Sequence, residues 1–180
     1  MNLSGRVFQL SVSNGGVPKR RVPSATVGPG GLAGDAQRDL RAHGGPDRAV
    51  CIFAVEQIAL LRIEGHRVAA GSLGENVTTE GIDWSEVTPG SRMQFGDEVL
   101  VEVTDYASPC WKNAQWFIDG SFNRISQETH PGSSRVYARV LSTGTVHESD
   151  AVVVMNGDAI DRVLRRQPAA VRWPRDFSGR

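Results

Sequence analysis

Glycine and proline recur between short apolar segments along the whole chain, and this punctuation constrains the fold more than any other feature of the sequence. The 180 residues include 20 glycines and 9 prolines. Short apolar segments separated by turn-forming residues are typical of many strands joined by tight turns. A closed or strongly coiled sheet leaves no long exposed strand edge in such a fold. We therefore predict a mainly β fold with a few short helices, in the α+β class, that closes or coils into a β-barrel.

Apolar periodicity predicts the individual elements. Residues 49–54 are continuously apolar, which is typical of a strand buried on both faces. Apolar residues recur at helical spacing over 55–64, and Gly65 ends that helix. Further strands are predicted at 6–12, 22–27, 76–79, 135–141 and 151–155, a hairpin at 93–95 and 99–104, short helical pieces at 113–118 and 122–125, and a last helix at 158–166. We expect a barrel domain over residues 1–156, with the helix and tail of 157–180 packed on it or trailing from it.

Charge and composition narrow the class of partner. Lys plus Arg and Asp plus Glu both total 20, so no basic field gathers nucleic acid. No apolar run approaches the roughly 20 residues that span a bilayer, and no secretory signal is recognisable at the N-terminus. Two cysteines do not form a disulfide framework. We therefore expect a cytoplasmic protein with reduced thiols and with neither a nucleic-acid nor a membrane partner.

The two cysteines differ in their sequence context. Cys51 lies among Val50, Ile52 and Phe53, where a neutral thiol packs as a small hydrophobic group. Cys110 follows a Ser-Pro pair in a loop, and loops are where functional residues concentrate. A cysteine is mostly neutral at pH 7 and needs a nearby cation, helix N-terminus or metal to become a thiolate. The residues alone leave both a functional and an inert Cys110 open, and a Cys51–Cys110 disulfide is the less favoured alternative.

Three loops are rich in backbone donors and small residues: S-N-G-G-V-P-K-R-R at 13–21, H-G-G-P-D-R at 43–48, and G-S-L-G-E-N at 71–76. Glycines let backbone N–H groups approach a ligand, and Lys19 follows the first pair as an anion partner. Each loop alone is also compatible with an ordinary turn. The sequence contains no pair of Cys or His residues at the short spacing that is typical of a zinc site, so a zinc site is not predicted. A Cys–His hydrolase that joins Cys110 to His43 or His130 stays open, because such partners meet only in space.

Taken in order, these loops resemble the MOSC domain, the family named after the C-terminal domain of molybdenum-cofactor sulfurase. The resemblance covers residues 6–154 and lies in an ordered set of motifs. The matching stretches are S-V-S-N-G-G-V-P-K at 11–19, G-L-A-G-D at 31–35, H-G-G-P-D-R-A-V at 43–50, E-G-H at 64–66, G-E-N-V at 74–77, P-G at 89–90, P-C at 109–110 and Y-A-R-V-L at 137–141.

The resemblance implies a barrel-like fold and a molybdenum cofactor (molybdopterin) site; pyridoxal phosphate is also associated with the family at large. In characterised relatives a cysteine thiolate binds the metal beside a pterin dithiolene, so Cys110 is implied as both catalytic residue and molybdenum ligand. Asp35 is a weaker candidate for orienting the loop of residues 43–48. The cofactor-binding residues implied by position are Ser13, Asn14, Gly15, Gly16, Lys19, His43, Gly44, Gly45, Arg48, Glu75 and Asn76.

Two functions share Cys110. In the first, the protein reduces an N–O bond of a small N-hydroxylated substrate. Its electrons come from a separate protein, because no flavin, haem or iron–sulfur motif is visible. In the second, Cys110 carries a persulfide received from a cysteine desulfurase-like donor and delivers sulfur to metal–sulfur or cofactor assembly. A barrel that only binds a phosphorylated ligand is the third and least favoured reading.

Overall fold

The computed structural model describes residues 3–36 and 44–155. Within these ranges the chain forms one α-helix, five short 3-10 helices and a series of strands. The strands are β1 (Leu3–Val12), β2 (Arg20–Val22), β3 (Ser24–Gly28), β4 (Gly31–Leu32), β5 (Val50–Ala54), β6 (Val77–Glu80), β7 (Arg92–Phe95), β8 (Val99–Tyr106), β9 (Val136–Ser142), β10 (Gly144–His147) and β11 (Ala151–Met155). The helix α1 spans Val55–Ile63, and the 3-10 helices span Pro46–Arg48, Trp84–Glu86, Trp111–Trp116, Ile118–Gly120 and Phe122–Ile125.

The main sheet closes into a barrel, as predicted. Its strand order is β11-β7-β8-β9-β5-β6-β1, and β1 pairs with β11 to complete the ring. β5 and β6 are parallel, while the other neighbouring pairs in the ring are antiparallel. β2 adds to the free side of β1, and β10, β3 and β4 form a smaller sheet. Closure pairs the edges of the main sheet, which would otherwise expose unpaired backbone groups.

The barrel encloses the hydrophobic core. Phe53 and Phe95 are fully buried, and the side chains of β7 alternate between buried and half-buried positions, as expected for a strand with one face to the core. The helix α1 directly follows β5 and buries Ile58 and Leu61. Its C-terminus is followed by Gly65 with a φ of 94°, a left-handed conformation that glycine adopts without steric cost.

Most predicted elements are confirmed, including the strands at 6–12, 49–54, 135–141 and 151–155, the helix at 55–64 and the hairpin of β7 and β8. The predicted strand 22–27 is wrong at its start. Pro23 separates β2 from β3, because proline has no N–H with which to continue a ladder. The short strands β4 and β10 were not predicted. The helix at 158–166 and the tail lie outside the described residues, so the domain boundary at 156 stays a prediction.

Helix length also bears on membrane insertion. Of the helices formed by residues 3–36 and 44–155, none has enough consecutive apolar residues to span a bilayer.

Candidate functional site

One end of the barrel carries a pocket with a volume of about 110 Å³. The strand pairing explains the position of its walls. β1 and β8 end here, and β5, β6 and β9 begin here, because β1 runs antiparallel to β6 and β8 runs antiparallel to β9. The lining residues are Ser13, Gly16, Val17, Lys19, Ala36, Arg48, Cys51, Leu73, Gly74, Asn76, Cys110, Lys112, Asn113, Arg135 and Tyr137. Six predicted site residues, Ser13, Gly16, Lys19, Arg48, Asn76 and Cys110, therefore share one pocket.

Cys110 lies in this pocket as a half-exposed free thiol. The preceding Pro109 leads into it, and its own backbone is extended, with φ −121° and ψ 141°. Its carbonyl accepts a hydrogen bond from the Asn113 N–H at 2.8 Å, which begins the 3-10 helix Trp111–Trp116. Within the described part of the chain, no three His, Cys, Asp or Glu side chains are grouped to hold a metal ion. Because its thiol is partly exposed, Cys110 can be reached by a metal for which sulfur is a soft ligand.

Cys51 is buried, as predicted, but it lies in the pocket wall and outside the main core cluster. It packs in a small separate cluster with Ala107 and Tyr137 and is 5% exposed. Burial raises the pKa of the Cys51 thiol, so the neutral form is favoured. The sequence prediction of a packed, neutral thiol is confirmed, and the structure adds that this thiol borders the pocket.

Asp35 organises the first loop. Its Oδ1 accepts a hydrogen bond from the Ser13 N–H at 2.8 Å, and its Oδ2 accepts bonds from Lys19 Nζ at 2.5 Å and Asn76 Nδ2 at 2.9 Å. The side chains of Lys19 and Asp35 are 10% and 3% exposed. Lys19 therefore faces the pocket as half of a buried ion pair, and its predicted role as a phosphate partner stays a prediction.

Asn76 joins three segments through one amide group. Its Oδ1 accepts a hydrogen bond from the Cys51 N–H at 3.1 Å, and its Nδ2 donates to Ser11 O at 3.2 Å and to Asp35. Because an amide nitrogen has two N–H donors, both are already used. Asn76 can offer a ligand only the remaining lone pair of its oxygen, so its clearest role is to hold the pocket wall together.

Glu75 is fully buried and is not among the residues that line the pocket, so its predicted role in cofactor binding stays a prediction. Its Oε1 accepts a hydrogen bond from the Gly71 N–H at 2.6 Å, while its Oε2 has no partner among the described residues. Burial raises the pKa of the Glu75 carboxyl, and hydrogen bonds from backbone groups, including Gly71, oppose this only in part. The side chain stabilises the turn that carries Gly71 and Gly74.

The loop of residues 43–48 is described only in part, because His43 lies outside the described residues. Gly45 has a φ of 84° and precedes the 3-10 helix Pro46–Arg48. Arg48 reaches the pocket, and its Nη2 donates to Asp105 Oδ2 at 3.0 Å. Its guanidinium also lies 5.5 Å from the Tyr137 ring centre, a cation–π distance. Neither Gly44 nor Gly45 is among the lining residues, nor are Asn14 and Gly15 of the first loop.

Three buried polar residues line the pocket that were not predicted as site residues: Asn113, Arg135 and Tyr137. Asn113 and Arg135 are 2% and 5% exposed, and Asn113 Nδ2 and Arg135 Nε have no partner within the described chain. Burial is the main cause that raises the pKa of Tyr137, to about 12, so its hydroxyl keeps its proton at neutral pH. The sequence shows Arg135 only as a charged first residue of the predicted strand 135–141, and its burial could not be inferred from that.

Comparison with known proteins identifies the family. The family model of the MOSC domain matches residues 39–160. Protein YiiM of Escherichia coli strain K12 is 32% identical over 151 residues, which cover 82% of this chain and 65% of YiiM. The uncharacterized protein YflK of Bacillus subtilis strain 168 is 33% identical over 63% of this chain and 50% of YflK. A protein named reductase from Gibberella moniliformis is 28% identical over 69% of this chain and 22% of its own length. The chain thus spans 65% or less of these relatives.

Solved structures share the fold. YiiM from Geobacillus stearothermophilus superimposes with a TM-score of 0.63 at 23% identity, covering 84% of this chain and 75% of that one. The YuaD protein from Bacillus subtilis gives a TM-score of 0.64 at 17% identity, covering 86% and 97%. At this identity the likeness shows the fold alone. Since the family model matches more than half of the residues, the chain belongs to the MOSC domain family.

Proposed function

We propose that the pocket binds molybdenum cofactor through Cys110 and that the protein reduces N-hydroxylated small molecules with electrons from a separate donor protein. The observation that carries the proposal is the half-exposed Cys110 thiol in a pocket that also contains Arg135 and Lys112. Thiolate is a soft ligand of the kind that selects metals by softness and geometry. Membership of the MOSC family supports the choice of cofactor.

The pocket residues fit an anionic cofactor that carries hydrogen-bond acceptors. Arg135 Nε and Asn113 Nδ2 are buried donors without partners among the described residues, and such donors are costly unless a ligand or water completes them. Gly16 has a φ of 101°, and a Cβ there would meet no atom within 4 Å, so this wall leaves room for a ligand. Cys110 would hold the metal, while the first loop and Arg135 would hold the remainder.

When bound, the cofactor supplies two-electron redox chemistry. For an N-hydroxylated substrate, two electrons from the donor protein and two protons break the N–O bond, giving the N–H compound and water. The chain's residues bind and orient: Cys110 fixes the metal, and Arg135 and Asn113 donate hydrogen bonds. Tyr137 retains its proton because its pKa is raised to about 12, so at neutral pH it acts as a neutral donor.

Elemental analysis tests the proposal. Protein produced in a host that makes molybdopterin should contain molybdenum near one atom per chain, and Cys110→Ser should remove it. Cys51→Ser is the matched thiol removal and should retain the metal, because the neutral buried thiol is not the ligand. Reduction of benzamidoxime with a chemical electron donor should follow molybdenum content. Wild-type protein without molybdenum, or Cys110→Ser protein with full molybdenum, would contradict the proposal.

The alternative is a sulfur carrier, and the partial exposure of Cys110 favours it, because a sulfur donor must reach this thiol. Cyanide converts a persulfide to thiol and releases thiocyanate. Thiocyanate released from Cys110 in protein that lacks molybdenum would support the carrier, and a cysteine desulfurase-like protein would then be its donor. Stoichiometric molybdenum without releasable sulfur would exclude this role.

A further inference from the structure

Arg135 is a buried cation in the pocket wall without an ion-pair partner in the described part of the chain. It is 5% exposed. Its Nη1 donates to Leu73 O, and its Nη2 donates to Ser108 O at 3.3 Å. Its Nε has no partner among the described residues. Two backbone carbonyls hold the guanidinium in place, but they do not neutralise its charge.

The other charged groups around the pocket are already balanced or solvated. Lys19 is bound to Asp35 at 2.5 Å, and Arg48 is bound to Asp105 at 3.0 Å. Lys112 is exposed to water. Glu75 is the nearby buried carboxyl that acts on Arg135 electrostatically, but its burial favours the neutral acid. A buried charge is unfavourable unless an opposite charge and hydrogen bonds compensate it, and among these groups Arg135 lacks that compensation.

We propose that Arg135 binds an oxyanion of the pocket ligand, of the phosphate or carboxylate type, and that Asn113 Nδ2 provides a second donor. A guanidinium matches such a group because its planar N–H groups bind two oxygens at once. Asn113 is 2% exposed, lines the same pocket and has an unpartnered Nδ2 within the described residues. The inference deepens the proposed function and rests on it for the identity of the ligand. The oxyanion belongs either to the phosphate of the cofactor or to the substrate.

The neighbouring turn leaves space for this ligand. Gly74 has a φ of 92°, and a Cβ at this position would lie 3.2 Å from Val17 Cγ1 and 3.8 Å from Arg135 Nη1. A side chain there would be strained by the backbone conformation and would crowd the guanidinium. Glycine at 74 therefore keeps the approach to Arg135 open.

Binding of inorganic phosphate to molybdenum-free protein tests the inference, with isothermal titration calorimetry at constant ionic strength as the measurement. Wild-type protein should bind phosphate, and Arg135→Met should weaken binding about tenfold or more, because a charged hydrogen-bond donor is lost. Arg139→Met is the matched control, since Arg139 lies nearby in β9 but pairs with Glu102 at 2.6 Å and does not line the pocket. It should bind phosphate as the wild type does.

A second variant covers the case in which Arg135→Met does not fold. Arg135→Lys keeps the charge but loses the planar fork, so its phosphate affinity should lie between those of the wild type and of a variant without charge. Thermal unfolding without phosphate establishes that each variant is folded. The proposal is overturned if the wild type does not bind phosphate. It is also overturned if folded Arg135→Met binds phosphate with wild-type affinity. Where Arg135→Met does not fold, wild-type affinity in Arg135→Lys has the same meaning.

Molybdenum and pterin content then separate the two sources of the oxyanion. Both contents are measured in Arg135→Met, or in Arg135→Lys where Arg135→Met does not fold. If the variant loses phosphate binding together with its molybdenum and pterin, the oxyanion is the cofactor phosphate. If the contents persist while phosphate binding is lost, the oxyanion belongs to the substrate. Failure of the proposed function is distinguished by a different measurement. If that function is wrong, the wild type contains no molybdenum, whereas phosphate binding is measured on molybdenum-free protein and does not depend on that result.

Discussion

At the scale of single residues, the pocket places two thiols in different environments on one wall. Cys51 is sealed against Ala107 and Tyr137, and burial raises its pKa. Cys110 is half-exposed. Thiol reactivity follows the fraction of thiolate and its accessibility, so these positions should differ as nucleophiles and as metal ligands although both border the same pocket.

Alkylation measures this difference directly. Iodoacetamide added to folded, cofactor-free protein at neutral pH should modify Cys110 well before Cys51, because a neutral buried thiol neither ionises nor meets the reagent. Peptide mass spectrometry assigns the modified residue, and the same reaction in denaturant should label both. Equal labelling of the two thiols in the folded protein would contradict the environment described for Cys51.

The Lys19–Asp35 pair is a second residue-scale feature, and it gives Lys19 a structural role beside its predicted one. Both side chains are nearly buried, and Asp35 also accepts hydrogen bonds from Ser13 and Asn76. Removing one partner of a buried pair leaves an uncompensated charge. Lys19 therefore contributes to the shape of the pocket as well as to its charge.

Lys19→Met should lower the free energy of unfolding by about 3 kcal/mol, measured by urea denaturation. Adding Asp35→Asn should cost less than the sum of the two single changes, because the double variant leaves neither charge buried alone. Arg92→Met, at a partly exposed pair with Glu102, serves as a control for the loss of an ion pair and should cost less. Strict additivity of the two changes would show that the pair is not coupled.

At the scale of elements, the turn between Gly71 and Gly74 connects the first loop to β6. The Gly71 carbonyl accepts the Lys19 N–H at 2.9 Å, and the Gly71 N–H donates to Glu75. A Cβ at Gly71 would lie 2.6 Å from Lys19 O, in addition to the strain of a φ of 85°. Both the conformation and the close approach of the two backbones require glycine here.

Gly71→Ala should therefore destabilise the protein by more than the roughly 1–2 kcal/mol that a left-handed conformation costs an ordinary residue. Gly90→Ala is the matched control, because Gly90 has a φ of 93° but a Cβ there would meet nothing within 4 Å. Urea denaturation of the two variants separates backbone strain from steric overlap. An equal loss of stability in both would show that the turn yields without cost at Lys19.

The local pattern of apolar and turn-forming residues predicted the helices and strands, because each of these elements depends on residues that are close in sequence. The continuous apolar run of β5, the helix that ends at Gly65 and the β7–β8 hairpin are examples. The pocket depends on pairing between distant strands. Cys51 meets Tyr137 across β5 and β9, and the pairing of β8 with β9 brings Arg135 within hydrogen-bond distance of Ser108 O, two residues before Cys110. Closure of the barrel fixes this register. The burial of Arg135 and the position of Cys51 at the pocket could therefore not be predicted from local sequence.

At the scale of the whole molecule, closure of the ring gives the barrel end a low-dielectric wall that contains ionisable groups. Glu75 is fully buried there, and burial, the main cause, raises the pKa of its carboxyl above the ordinary 4.5. Its Oε1 is bound to the Gly71 N–H, while Oε2 has no partner in the described chain. A neutral acid suits this site better than a carboxylate.

This burial makes the stability of the molecule depend on pH. Above pH 4.5 the folded protein holds the Glu75 proton while the unfolded chain releases it. The folded state then binds more protons, so the contribution of Glu75 to stability falls as the pH rises from 4.5 through the folded-state pKa. Glutamine resembles the protonated acid, and Glu75→Gln should therefore gain stability relative to the wild type over this window.

Urea unfolding of both proteins at a series of pH values measures the difference, which should be smallest near pH 4.5 and should level off above the folded-state pKa. Glu128→Gln, at an exposed carboxyl, controls for the loss of a negative charge from the molecule as a whole. Parallel stability curves for Glu75→Gln and the wild type would mean that the buried carboxyl releases its proton equally in the folded and unfolded states. In that case Arg135 would have an ionised neighbour, and its need for an external oxyanion would be correspondingly weaker.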